Sequence, residues 1–378
     1  MTGSKSPMVF MAGYRKRDSL ARLGGSDDPS SGWRGSGSGT PNKNVDSGVS
    51  PETPVLMSDL TWKPARELRQ EDFVLGFDQR PRPGRYRRCR VTTVEAVTIR
   101  YAITLTLATC FGAIECTPTH RWMERNRFRK AATIGEFRLA TIPVPPPVLG
   151  SDYKMGYLHG ALAGDGSFSR RPTQIRAALR VCDRPFASRF AQFGRDLGFA
   201  GLREFVYVTA ATKRPLYGVR TSRVKEVAML DPYSEPRPTT GYMRGWLAGA
   251  FDAEGSNSGG QMLRIHQRLS NRAFWDTTTS FLRSLAVPHT KEKGRPPQKN
   301  GLERMGSVRM LKLADQIKFM ALTQPVIRRK WTHLCTAGLR LTPKTFVLSR
   351  RKLGFRKVID IATSNGTLIA GGFLSEAR

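Results

Sequence analysis

Gly156-Tyr-Leu-His-Gly160-Ala-Leu-Ala-Gly164-Asp165-Gly166-Ser167 and Gly245-Trp-Leu-Ala-Gly249-Ala-Phe-Asp-Ala253-Glu254-Gly255-Ser256 are two copies of one pattern. Each places small residues at i, i+4 and i+8, then an acid, then Gly-Ser. On a helix that spacing forms a single stripe about 12 Å long. Such a stripe carries no side chains to hold a neighbour off, so two helix backbones can approach closely through it. If the stripes face each other, Asp165 and Glu254 emerge side by side at the helix C-termini, where the macrodipole is already negative. Two carboxylates repel there unless a hard cation sits between them, and Mg2+ fits, with substrate phosphates completing its shell. Gly166 and Gly255 suit the turn that leaves each helix. One Gly-rich helix ending at an exposed acid is commonplace; two copies agreeing at this many positions are not.

Charge narrows the partner. The chain carries 62 Lys and Arg against 30 Asp and Glu, a formal net charge of +32. Such a surface repels itself unless it meets a polyanion, which makes nucleic acid the default partner. An anionic membrane is the rival. The sequence, however, has no amphipathic anchor, no apolar run of transmembrane length and no signal core in Met1 to Phe10. Five scattered cysteines without a CxxC pair argue against disulfides and structural zinc. The expectation is a cytoplasmic, nucleoid-associated protein.

Residues 1–47 are rich in Gly, Ser, Asp and Pro without periodicity and read as a flexible arm. Residues 48–148 carry short strands at 55–57, 73–77, 90–94 and 101–107, a basic turn at 80–85 and a Pro-rich boundary at 142–148. Residues 149–335 change to an α+β pattern. Helices are predicted at 155–164, 185–198, 241–253, 271–285 and 313–322, with strands at 174–181, 205–208, 217–221, 262–266 and 307–310. The order occurs twice, over 152–235 and 241–330, an internal duplication giving one chain a pseudo-two-fold axis as a monomer. Residues 336–378 return to strands. Even spacing puts Arg176 and Arg180 on one sheet face, and Arg264, His266 and Arg268 on another. With Arg170, Asn257 and Gln261, these side chains can bond to base edges or phosphates.

Leu247-Ala-Gly-Ala-Phe-Asp-Ala-Glu-Gly255 resembles the signature nonapeptide of the LAGLIDADG homing endonucleases at nearly every position. Leu158 to Gly166 looks like its more divergent first copy, and the resemblance covers residues 152–330. It implies motif helices at the interface of two halves, with Asp165 and Glu254 as catalytic ligands of Mg2+. It further implies paired four-stranded sheets reading the major groove of a long double-stranded DNA site, and cleavage of both strands. A basic residue near the scissile phosphate is also implied: Lys312 in the second copy, Arg220 or Arg223 in the first.

A second resemblance flanks the first. Thr53-Pro-Val-Leu-Met57, Trp62-Lys-Pro-Ala-Arg-Glu-Leu68 and Val74-Leu-Gly-Phe-Asp78 look like the opening block of Hint domains, the fold of inteins. Thr117-Pro-Thr-His120 is similar to the TxxH block. Lys357-Val-Ile-Asp360-Ile361, followed by Leu368-Ile-Ala-Gly-Gly-Phe-Leu374, is similar to the closing block. The fold class implied is a duplicated α+β endonuclease domain inserted in an all-β Hint-like domain. Counting back from Thr53 puts the family's first residue at Gly48, which has no hydroxyl or thiol, with Ser47 one residue out of register. Glu376 and Ala377 stand where His-Asn would, and Arg378 ends the chain. Splicing is therefore predicted dead. Thr117, His120 and Asp360 would be remnants, and the β module a scaffold or accessory DNA-binding surface. Two other activities stay open from sequence: an RNA maturase assisting intron splicing, and an autoprocessing element.

Overall fold

The computed structural model describes residues 47–80, 87–109, 112–138, 149–171, 174–208, 214–234, 238–258, 262–294, 305–336, 338–339 and 344–378. All but Ser47 of the arm expected at 1–47, most of the basic turn, the Pro-rich boundary and Gln261 lie outside these residues.

Eight strands come first: β1 (Pro54–Leu56), β2 (Trp62–Pro64), β3 (Phe73–Phe77), β4 (Arg87–Thr109), β5 (Gly112–Cys116), β6 (Arg121–Glu124), β7 (Arg127–Lys130) and β8 (Glu136–Arg138). Five more close the chain: β17 (Gly338–Leu339), β18 (Lys344–Phe346), β19 (Ser349–Thr363), β20 (Thr367–Ala370) and β21 (Phe373–Glu376). The two groups interleave, because β20 and β21 lie between β1 and β6 in a six-stranded sheet, and β19 runs antiparallel to β4. Two separate strands are expected at 90–94 and 101–107, yet β4 continues for 23 residues. Val97, Thr98 and Ile99 are β-branched and hold the chain extended across the gap.

Between these groups lie two runs of identical element order. The first is α1 (Ser151–Asp165), β9 (Gly166–Arg171), β10 (Gln174–Val181), α2 (Arg184–Asp196), β11 (Arg203–Val208), β12 (Pro215–Thr221) and α3 (Val224–Met229). The second is α4 (Thr240–Glu254), β13 (Gly255–Ser258), β14 (Met262–Arg268), α5 (Arg272–Ser284), β15 (Thr290–Lys293), β16 (Met305–Met310) and α6 (Leu313–Thr323). Each forms an antiparallel four-stranded sheet with the same spatial order: first strand, second, fourth, third. Period-2 burial drives the pairing. Leu179 and Val181 on β10, and Leu263 and Ile265 on β14, point into the core while their arginine neighbours point out. The strands that periodicity does not show are β9, β13 and β15, whose Gly-Ser and Thr-Lys-Glu-Lys sequences lack an apolar alternation.

The helices α1 and α4 pack through their small-residue stripes. A Cβ on Gly160 would lie 2.7 Å from the Trp246 carbonyl carbon, and one on Gly245 would lie 2.8 Å from that of Tyr153. At the far end a Cβ on Gly164 would lie 2.5 Å from the Ala253 Cβ. Backbone meets backbone along the stripe, and large side chains are driven to the flanks. Tyr153 and Tyr157 pack with Phe186, Phe190 and Phe193 on one side, while Trp246 and Phe251 pack with Phe274 and Phe319 on the other. The second apolar cluster does not stop at the repeat. It runs on through Trp331 and Leu334 into Leu56, Trp62, Phe77 and Ile369 of the β module, which fuses that module to the second repeat. No helix among the described residues is long and apolar enough to cross a membrane.

Gly160→Ala is expected to lower stability by about 3 kcal/mol, the upper end of overpacking costs, because the obstacle is backbone rather than a movable side chain. Chemical denaturation of the two proteins checks this; an unchanged midpoint would contradict the close helix contact.

Candidate active site

The α1–α4 contact delivers two acids to one place. Asp165 is the last residue of α1 and Glu254 the last of α4. Gly166 N–H donates to the Leu162 carbonyl and Gly255 N–H to the Phe251 carbonyl, closing each helix through backbone alone. Neither glycine takes the left-handed turn expected of a helix end; their φ values are −77° and −73°. Glycine is required for space instead. A Cβ on Gly166 would lie 2.6 Å from the Leu162 Cα, and one on Gly255 would lie 2.6 Å from the Phe251 ring. The chain therefore passes from each acid straight into the first strand of its sheet.

Both carboxyls are pushed above the usual range. For Asp165 the main cause is desolvation by the surrounding protein, with Asp183 adding to it and Lys330 opposing it. Asp165 still reaches solvent and Glu254 is half-buried; the larger effect falls on Glu254, to which the charge of Asp165 is added. Desolvation first, then the charge of Asp165, raises Glu254 to about 7, against the pull of Gln267, whose Nε2–H donates to Oε1 at 3.0 Å, and of Lys330. A carboxyl that ionises reluctantly beside another marks a site short of positive charge. Two hard oxygen donors in that condition fit a divalent cation of the Mg2+ type. No cluster of three or more His, Cys, Asp or Glu side chains that could hold a metal occurs among the described residues. The chain would thus supply two carboxylates, and water or phosphate oxygens the remaining ligands.

Lys330 is the residue at this corner that sequence reading misses. It lies in the short 3-10 turn Arg328–Lys330 after α6 and is 9% exposed. Its Nζ donates to the carbonyls of Phe251, Asp252 and Ala253, at 3.1, 2.5 and 3.2 Å. All three ammonium protons are thereby spent on the last turn of α4, where carbonyls lack helical partners and the dipole is negative. The favour is returned by Asp252. Its buried carboxylate accepts from the N–H groups of Val326 and Ile327, both at 2.9 Å, and from the Tyr157 hydroxyl at 2.6 Å. The segment 326–330 and the end of α4 thus hold each other in place, with a fixed cation beneath both acids. Within Arg328-Arg329-Lys330, nothing in the sequence says which cation turns inward. Lys312, expected near the scissile phosphate, is exposed at the N-cap of α6, and its charge acts on Asp315. The lysine acting on both acids is Lys330.

The arginines sort as the strand period requires. On β10 Arg176 is half-buried and Arg180 exposed, and on the neighbouring β12 Arg220 is exposed with its guanidinium 5.2 Å from the Phe205 ring centre. Arg176, Arg203, Arg220 and Arg223 line one open basic pocket. On β14 Arg264 and His266 are half-buried and Arg268 exposed, with Leu263, Ile265 and Gln267 buried between them. His266 Nε2 lies 2.8 Å from the Ser256 Oγ; burial, then Arg264 and Arg309, keeps its pKa below the usual value. Asn257 donates from Nδ2 to His333 Nδ1 at 2.5 Å. Arg170 lies in β9, paired in register with Ile175.

A second constellation sits in the β module. His120 is buried, its pKa pushed down to about 3 by desolvation, so its imidazole is neutral. Its Nδ1 lies 3.0 Å from the Ser47 Oγ and its Nε2 lies 2.8 Å from the Ser375 Oγ. Ser47, one residue before Gly48, is thus the hydroxyl in contact with His120. Gly48 is buried, with its carbonyl accepting from Thr117 N–H at 2.9 Å, and Thr117 in turn accepts from His120 N–H at 3.1 Å. Arg100 donates to the Ser47 carbonyl at 3.1 Å and pairs with Asp360. Glu376 pairs with Arg121 and Arg378, and Ala377 is buried.

Lys330→Met should cost about 3 kcal/mol, because it leaves three carbonyls at the end of α4 without their buried charged donor. Urea unfolding of the variant checks this; a loss below about 1 kcal/mol would show that Lys330 is not the fastening of this corner.

Comparison with known proteins gives limited likeness. No family model matches the chain. An uncharacterized protein of Methanocaldococcus jannaschii is 25% identical over 151 residues, which is 36% of this chain and 56% of that protein. The chain thus spans about half the length of the curated relative it matches. Among solved structures, a mesophilic variant of the homing endonuclease I-DmoI aligns at 18% identity and a TM-score of 0.37, covering 46% of this chain and 97% of that one. I-DmoI in complex with DNA and Ca aligns at 18% identity and a TM-score of 0.36, covering 45% and 88%. The N-terminal LAGLIDADG domain of DUF199/WhiA aligns at 13% identity and a TM-score of 0.35, covering 49% and 88%.

Proposed function

We propose that the chain is a metal-dependent DNA endonuclease that makes double-strand breaks in a long duplex site. The observation that carries this reading is the meeting of two duplicated helix ends, each finishing in an acid, between two basic sheets of like strand order. The LAGLIDADG-like motif in the sequence points the same way. In this reading residues 152–235 and 241–330 form two halves about a pseudo-two-fold axis, and each acid serves mainly one strand. Asp165 and Glu254 would hold a divalent cation, which would supply Lewis-acid chemistry for phosphodiester hydrolysis. Arg176, Arg180, Arg220, Arg264, His266 and Arg268 bind phosphates and base edges, fixing the register of the duplex. Lys330 keeps the α4 terminus from shifting as the charge of the acids changes. The test is incubation of a duplex DNA library with Mg2+, beside an Asp165→Asn/Glu254→Gln variant. Discrete double-strand cuts by the wild type alone are expected; tight binding without cuts in Mg2+ and Mn2+ would contradict the reading.

The Ser47–His120–Ser375 chain favours a second activity, self-cleavage at the peptide bond preceding Ser47. Ser47 Oγ would attack the carbonyl of that bond, forming an ester while the C–N bond breaks and the Ser47 nitrogen takes the proton as a free amine. Water would then hydrolyse the ester and release residues 1–46. Ser375 Oγ donates to the Glu376 carbonyl at 2.9 Å and so accepts from His120 Nε2–H, which leaves Nδ1 as the acceptor facing the Ser47 hydroxyl. Purified protein held without protease should lose a fragment of that length, and Ser47→Ala or His120→Ala should abolish the loss. A chain that stays whole would remove this activity and leave the nuclease reading untouched.

A further inference from the structure

The ribbon formed by β4 and β19 carries a surface that neither reading above uses. Tyr101 is 64% exposed and Phe355 is 72% exposed, with Ile99 and Ile103 each 58% exposed beside them. Register pairs Tyr101 with Lys357 and Ile103 with Phe355, so these four side chains leave the same face of the ribbon. The rings of Tyr101 and Phe355 lie 6.2 Å apart with planes inclined by 21°, a near-parallel aromatic platform open to solvent. The chain around Phe355, Ser349-Arg-Arg-Lys-Leu-Gly-Phe-Arg-Lys-Val-Ile359, holds five cations and no acid. Arg356 reaches Glu115 at 3.6 Å. Among the described residues no ion pair engages Arg350, Arg351, Lys352 or Lys357.

We infer that this ribbon binds unpaired nucleotides, with Tyr101 and Phe355 stacking on bases and the flanking Arg and Lys side chains holding the phosphates. An apolar patch left bare on a soluble face calls for an occupant, and its surroundings choose which. A second copy of the chain would bring two such basic strands together and be repelled. A polyanion is drawn in by them, and a flat aromatic platform adds something only for a polyanion with free π faces. Bases within a duplex already spend both faces on their neighbours; unpaired bases do not. The inference rests on the ribbon alone and stands apart from the acids of α1 and α4.

Fluorescence anisotropy in EDTA tests it, using labelled strands of about 16 nucleotides, within the usual range of single-strand site sizes. Single-stranded DNA, single-stranded RNA of the same sequence, and the DNA duplex form the three arms, and the two single-stranded arms show which sugar is preferred. Tyr101→Ala/Phe355→Ala should weaken single-strand binding by about tenfold or more, consistent with the loss of stacking on one or two bases, and duplex binding by less than about threefold. Tyr101→Trp/Phe355→Trp, which keeps the platform, should bind single strands at least as well as wild type. Equal losses on single strands and duplex, or no loss on either, would overturn the inference. So would a wild type that pellets with phosphatidylserine vesicles through these rings while ignoring single strands. EDTA removes cleavage from the measurement, so a failure of the nuclease reading leaves this result intact.

Discussion

Backbone-to-backbone contact between α1 and α4 is the constraint on which the rest of the molecule depends. With glycine at 156, 160, 245 and 249, no side chain separates the two helices, and the aromatic bulk is displaced to either flank. Each flank then becomes the core of its own four-stranded sheet, which is why one sheet grows on each side of the helix pair. The same contact fixes the relative height of the helices, so that their final residues, Asp165 and Glu254, face one another. Placing two acids at two helix C-termini is unfavourable three times over: by mutual repulsion, by dipole and by desolvation. An arrangement that costs this much, repeated in sequence, fits the cation-binding role proposed for the two acids.

The fold meets part of that cost itself. Lys330 places an ammonium group near the acids and satisfies the carbonyls that α4 leaves open, while Asp252 fastens the segment that carries Lys330. Arg329 extends the fastening to Asp183 at the start of α2, and Arg328 to Asp59 in the β module. A short connector thus ties both repeats and the flanking strands to one helix end. The consequence is rigidity at the acids, where misplacement of about 1 Å can cost two orders of magnitude in rate.

Much of this was legible in the residues. The helices were visible because Gly and Ala recur at i, i+4 and i+8 in α1 and α4, and because α2 and α5 alternate apolar and polar at helical period. Strands β10 and β14 announced themselves by alternating apolar residues with Arg. What escaped had no local signature. Strands β9 and β13 are Gly-Ser stretches held by their neighbours. Lys330 is one of three consecutive cations, distinguished only by the helix end its ammonium reaches. The contact of Ser47 with His120 joins residues 73 positions apart, which no local pattern shows. The joining of the β module to the second repeat through Trp331 and Leu334 depends on long-range packing that no window of sequence contains.

The central claim, that Asp165 and Glu254 form one electrostatic unit able to hold a cation, is tested most directly by the titration of Glu254. Its side-chain carboxyl can be followed by 13C NMR and identified by the loss of its signal in Glu254→Gln. The account predicts a midpoint near 7, against the ordinary 4.5, falling when Asp165 is replaced by Asn and falling when Mg2+ is added with DNA. Because the folded value is raised, protonation of Glu254 stabilises the fold fully below pH 4.5, and that contribution is lost as pH rises through 7. A midpoint at 4.5 that neither Asp165→Asn nor Mg2+ moves would mean that the two acids do not share a site, and the account would fail.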